Sequence, residues 1–182
     1  MFTIESCTLP EEALLGEHAR RGVYTDCFRT ELDGIATQAQ FVEAFYTTLA
    51  FKLERVILKW LVSRPSSDKQ ARQLATGASD HFAAWRVEKR CTNQLLLSDF
   101  RGDTRSWLMV SPGCMQGDRK TLLYFGSAII PTSNDKSGAV KMGPGYRALL
   151  GLHKLYSAVL LGSARSRLAG MIRNGDNRSS TS

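Results

Sequence analysis

Residues 145–168, GYRALLGLHKLYSAVLLGSARSRL, decide how the rest of the chain reads. They predict one long helix. Gly143-Pro144 precedes them, and proline suits a first helical position, where its missing N–H is not needed. At helical spacing Leu152, Leu155 and Val159 make one apolar stripe, and Leu149, Tyr156 and Leu160 make a second beside it. A third stripe is small: Ala148, Gly151, Ala158, Gly162 and Ala169. Arg147, Lys154 and Arg165 occupy the one polar window. A helix apolar around most of its girth is expected to be largely buried. Charge interrupts it too often for a membrane span, since no run approaches ~18 apolar residues. Something must hold this helix, and the preceding segment has the pattern to do so.

From residue 82 to 131 the chain reads as four strands, over 83–90, 94–100, 105–110 and 121–130. The joints are Thr92-Asn93, the run Arg101-Gly-Asp-Thr104, and a glycine-bearing stretch over 111–120. Joints this short imply antiparallel hairpins, because a parallel pair needs a long crossover. Pairing Phe100 with Arg105 puts Leu96, Ser98, Phe100, Arg105, Trp107 and Met109 on one face. Leu95, Leu97, Asp99, Ser106, Leu108 and Val110 then share the other. Both faces are partly apolar, so the one that does not meet the helix needs a cover, from a partner or from the chain itself.

Upstream, residues 23–32 predict a first strand, closed by Asp33-Gly34. Thr37 and Gln40 form a capping box ahead of a helix predicted from Ala39 to about Val62, which Arg64-Pro65 ends. Ser67 and Gln70 form a second capping box, opening a shorter helix that stops at Gly77. A short helix is expected after Pro10. Residues 132–142 read as a loop. Residues 1–172 thus predict a single domain, and 173–182 a disordered tail with nothing to bury. The fold class is α+β, an antiparallel sheet curled around a long C-terminal helix with two helices inserted after the first strand.

The chain has 182 residues, 43% hydrophobic and 23% charged, with a formal charge of +7. The basic residues are spread along it and gather only near the C-terminal end, so no nucleic-acid surface is expected. Cys7, Cys27, Cys91 and Cys114 form no Cys-x-x-Cys pair and have no histidine at ligand spacing, which predicts free thiols and no metal. With no secretory pattern at the N-terminus, the expectation is a cytoplasmic protein without stable membrane insertion.

The element order also resembles the START/polyketide-cyclase-like helix-grip superfamily, and within it a bacterial group carrying a domain of unknown function. Two blocks carry the resemblance. One is the run from Phe82 to Glu88 with Leu95–Leu97 and Ser106–Val110. The other is Leu123-Tyr-Phe-Gly126 followed by the helix with Leu152-His153. It covers about residues 23–170, with fewer apparent strands than the fullest members. The resemblance implies a helix gripped by a sheet and the binding of apolar or amphipathic small molecules, with catalysis in some branches. None of those branches' catalytic motifs is matched, so no catalytic residue carries over, and no cofactor is expected.

The candidate ligand-binding residues are Trp85, Trp107, Tyr124, His153 and Tyr156. His153 lies on the apolar side of the long helix, where it can bind a ligand carbonyl or act as a base. The competing reading is a core histidine satisfied by a neighbour. The aromatic residues line a cavity or simply fill the core. Asp99 and Arg105 fall on opposite faces and read as solvated charges at a hairpin end. Cys27 reads as a buried inert thiol. Binding of an apolar small molecule is therefore expected first. An enzyme of cyclase, dehydratase or hydrolase type, and a homo-oligomeric interaction module such as a homodimer, are the alternatives.

Overall fold

A computed structural model describes residues 2–48, 51, 67–113, 119–130 and 144–179, with backbone alone for 144–152 and 175–179. In chain order the elements are β1 (Glu5–Ser6), α1 (Gly16–Arg20), β2 (Tyr24–Asp33), α2 (Gln38–Tyr46), α3 (Asp68–Thr76), β3 (His81–Phe82), β4 (Trp85–Cys91), β5 (Gln94–Asp99), β6 (Thr104–Pro112), β7 (Lys120–Ile129) and α4 (Pro144–Ser179). The seven strands form one sheet in the order β1-β2-β7-β6-β5-β4-β3, antiparallel at every pairing. It is an open α+β sheet, with the two-residue strands β1 and β3 at its edges.

The meander follows from alternation and turn chemistry. Thr92-Asn93 joins β4 to β5, because Cys91 pairs with Gln94. Gly102, at φ +78°, takes the left-handed corner of the β5–β6 turn, where its N–H donates to Asp99 O at 3.1 Å. The β5–β6 register sets Ser98, not Phe100, opposite Arg105. That displacement is two residues, one full period of the strand, so each side chain keeps its expected face. Ala83-Ala84 is a hairpin turn between β3 and β4, so the strand predicted from residue 83 begins at Trp85.

The sheet separates two cores. One face carries Phe28, Leu32, Leu95, Leu97, Leu108, Leu123 and Phe125, packed against α2, α3 and α4. The other carries Cys27, Leu96, Trp107, Met109, Tyr124 and Ala128. The chain covers this second face itself, with the segment that includes Ala13 and Leu15 and leads into α1. Gln94 fixes the cover. Its Oε1 accepts from Leu14 N and from Trp107 Nε1, both at 2.9 Å, and its Nε2 donates to Glu12 O at 3.1 Å. The two-sided apolar sheet therefore needs no partner on that face.

Both capping boxes form: Thr37 with Gln40 ahead of α2, and Ser67 with Gln70 ahead of α3. Gly77, at φ +78°, ends α3 as expected. Within the predicted helix, α2 ends at Tyr46 and Phe51 is again helical, while residues 49–50 and 52–66 lie outside the described residues. Thr47 and Thr48 turn their hydroxyls back to Glu43 O at 2.6 Å and Phe45 O at 3.0 Å, the local competition by which hydroxyl residues break helices. The predicted 132–142 loop also lies outside the description.

α4 runs to Ser179, beyond Ile172, where the apolar pattern ends. Extending a formed helix by a few residues costs far less than nucleating one. The expectation of burial around most of its girth is corrected. Leu160, Leu161, Ala164 and Leu168 are buried, yet Leu155 is 63% and Val159 49% exposed. Among the described side chains, the enclosed side is the one toward the sheet, α2 and the N-terminal arm. Gly162 faces the N-terminal arm, where an added Cβ would meet Ile4 Cδ1 at 2.9 Å.

Candidate functional site

A cavity of about 220 Å³ lies between the sheet and the N-terminal half of α4. Phe45 and Phe51 come from α2 and the chain beyond it, Trp85 from β4, and Phe125 and Ser127 from β7. His153, Tyr156 and Ser157 come from α4. Most of the wall is apolar, and its polar groups are few and placed, as small-molecule sites require.

One wall holds Ser127 and His153, with Asp26 bonded to Ser127 from behind it. Asp26 lies in β2 in phase with Phe28, Thr30 and Leu32, and Ser127 lies beside it in β7 in phase with Leu123 and Phe125. Strand alternation thus drives a carboxylate and a hydroxyl into the helix-facing core. Asp26 Oδ1 accepts from Ser127 N at 3.0 Å and from Ser127 Oγ at 2.7 Å. Ser127 Oγ lies 2.8 Å from His153 Nε2, which is also 3.5 Å from Asp26 Oδ2. The hydroxyl has one proton and gives it to the carboxylate, so His153 must donate, which puts a proton on Nε2. Asp26 is 3% exposed at its side chain and His153 31%, so the carboxylate is buried and the imidazole is partly open to solvent. This is not the relay of a serine hydrolase. There the carboxylate holds the far ring nitrogen, and the hydroxyl is free to lose its proton to histidine.

The cavity also carries polar atoms without partners. Trp85 and Ser157 line it, and Trp85 Nε1 and Ser157 Oγ are buried and make no hydrogen bond among the described residues. Nearby, Tyr46 Oη and Ser106 Oγ lie 3.3 Å apart. A buried donor left unmade costs about 1–3 kcal/mol, so each is a structural cost that an acceptor supplied to it would remove.

Of the residues expected in the site, Trp85, His153 and Tyr156 line this cavity together. Trp107 and Tyr124 do not. They alternate onto the opposite face, where their rings lie 6.3 Å apart in the second core and Gln94 satisfies the Trp107 indole. Asp99 and Arg105 are separate, as expected, but Arg105 is not a solvated charge: its side chain is largely buried, and the residue lines the cavity. Asp99 Oδ1 accepts from Thr104 N at 3.1 Å, while Arg105 pairs with Glu88, which also meets the buried His18 at 3.3 Å. Asp26 and Ser127 were not singled out by sequence. Their signal was there: a polar residue in phase with the inward apolar row of each predicted strand.

A groove of about 400 Å³ at the N-terminal edge is charged instead. Its Arg29 pairs with Glu5 at 3.0 Å and its Lys120 with Glu31 at 3.3 Å, leaving little unsatisfied. Among the described residues no three or more His, Cys, Asp or Glu side chains are grouped to hold a metal ion, and no helix is long and apolar enough to cross a membrane. No protein-family model, curated protein or solved structure matches this chain.

Proposed function

We propose that the protein binds a small amphipathic molecule in the cavity between the sheet and α4, with the molecule's acceptor atoms toward Trp85 and Ser157. The observation that carries this reading is the pair of unpartnered buried groups, Trp85 Nε1 and Ser157 Oγ, on an otherwise largely apolar wall. A cavity of ~150 Å³ lined by apolar side chains holds one benzene ring. The volume of about 220 Å³ therefore suits one ring with a short carbonyl or carboxylate substituent. Phe45, Phe51 and Phe125 would contact the ring, and His153 stands at the polar wall. Membership of the START-like helix-grip superfamily is part of the same proposal, and the element order supports it.

The second reading is an enzyme of cyclase, dehydratase or hydrolase type. The contact of Asp26, Ser127 and His153 favours it, with the partly exposed His153 imidazole at the cavity wall as the acid–base group.

Native mass spectrometry of the purified chain, soaked with monocyclic aromatic acids and ketones, tests both readings. A one-to-one adduct of unchanged mass, weakened in Trp85→Phe, is the result expected for a binder. Conversion of the adduct that disappears in His153→Ala assigns the enzyme. No adduct with any member of the series contradicts both.

A further inference from the structure

Cys7 and Cys27 form a second reactive feature, on the face of the sheet away from the cavity. The β1–β2 register puts Glu5 opposite Arg29 and Ser6 opposite Phe28, so the next pair is Cys7 with Cys27. Cys7 N donates to Cys27 O at 2.9 Å. Residues paired this way in antiparallel strands stand about 5.5 Å apart at Cα, and disulfides span about 4.4–6.8 Å. The two sulfurs are already 3.3 Å apart, and both are free thiols. Cys7 is half-buried and Cys27 buried. A groove of about 340 Å³ opens beside them, bordered by Ser6, Thr8, Ala19 and Lys154, and gives a small reagent a way in.

We propose that Cys7 and Cys27 are a reversible dithiol–disulfide pair, oxidised by a small-molecule disulfide such as oxidised glutathione. The accessible Cys7 loses its proton, and its thiolate attacks one sulfur of the reagent. That step forms a mixed disulfide and releases one small thiolate. The Cys27 thiolate then attacks Cys7 Sγ, closing the protein disulfide and releasing the second. The two protons from the cysteines end on the two released thiols, and the reagent carries away the two electrons. Burial, then the hydrogen bond with Cys7, pushes the Cys27 thiol up, so Cys7 takes the first step and Cys27 attacks only once the mixed disulfide is held against it. A thiol of high pKa also leaves slowly, so reduction of the closed bond is slow. Closure ties the two-residue edge strand β1 to β2 one residue from Asp26.

Incubating the wild-type chain with excess oxidised glutathione, alkylating it in denaturant and mapping tryptic peptides tests this. The expected result is peptides 1–20 and 22–29 joined, both thiols protected together, and full release by dithiothreitol. The oxidised chain should melt higher by on the order of 5–10 °C. Cys91 is exposed and serves as the internal control. A glutathione adduct on Cys91 with Cys7 and Cys27 still alkylated overturns the proposal. So does a lasting glutathione adduct on Cys7 with no joined peptides.

Discussion

Ser127 gives its proton to Asp26 and takes one from His153, so it holds the polar wall of the cavity together. Ser127→Ala leaves a buried carboxylate with one backbone donor. It should lower the unfolding free energy by about 1–3 kcal/mol in urea titration. His153→Ala removes a partly exposed partner and should cost less, under about 1 kcal/mol. The reverse order would mean that the imidazole, and not the hydroxyl, carries the contact. The neighbouring Gly126 is set by close approach. A Cβ there would lie 2.8 Å from Asp26 O, 3.0 Å from Trp107 Cε3 and 3.1 Å from Leu15 Cδ2. The first of these is backbone and the indole is fully buried, so neither yields easily. Gly126→Ala should cost about 1–3 kcal/mol by the same titration, against the usual gain from replacing a strand glycine. An unchanged midpoint would show that β2 and β7 can separate locally without loss.

At the scale of elements, the N-terminal segment is held by few but specific ties. Gln94 satisfies Leu14 N, Glu12 O and the buried Trp107 indole at once. Gln94→Leu should therefore destabilise by about 2–3 kcal/mol and speed amide exchange across residues 9–20. Exchange that stays slow there would show that apolar packing alone holds the cover. The small stripe of α4 gives a contrasting case. Gly162 packs against Ile4 Cδ1, the end of a flexible side chain, with Phe2 beyond it. Gly162→Leu should displace the arm, exposing the amides of Glu5 and Ser6 to exchange, while helix propensity returns up to ~1 kcal/mol. A net urea loss under about 1 kcal/mol is expected, and a larger one would mean that the arm cannot move aside. These cases mark what was legible. Approximate strand bounds, and which side chains share a face, could be read because alternation and turns report them directly; which face meets the helix could not, since a one-residue slip exchanges the two. A two-residue register shift changed no face, since the strand period is two. Which side of α4 is open was not legible, because Leu155 and Val159 are as apolar as the buried Leu160 and Leu161. Apolarity alone does not say where a distant arm will lie.

For the whole molecule, the sheet divides the aromatic residues between two cores, and this explains why only part of the site could be anticipated. Trp85, Trp107 and Tyr124 are equally apolar in sequence. Only the topology shows that Trp107 and Tyr124 belong to the core sealed by the N-terminal segment, while Trp85 meets α4 across the cavity. The polar wall needs β2 and β7 side by side, although Asp26 and Ser127 are far apart in sequence. No local pattern announces that pairing. The account rests on the cavity taking an acceptor-bearing molecule at Trp85. Indole N–H resonances in ¹H–¹⁵N spectra report this directly, with Trp85→Phe assigning the signal and benzoate and phenylacetate as probes. The prediction is a saturable downfield shift of the Trp85 indole proton that weakens in Ser157→Ala, while the Trp107 indole, already bonded to Gln94, stays in place. A Trp85 resonance that no probe moves, in a chain whose other signals remain folded, would contradict it.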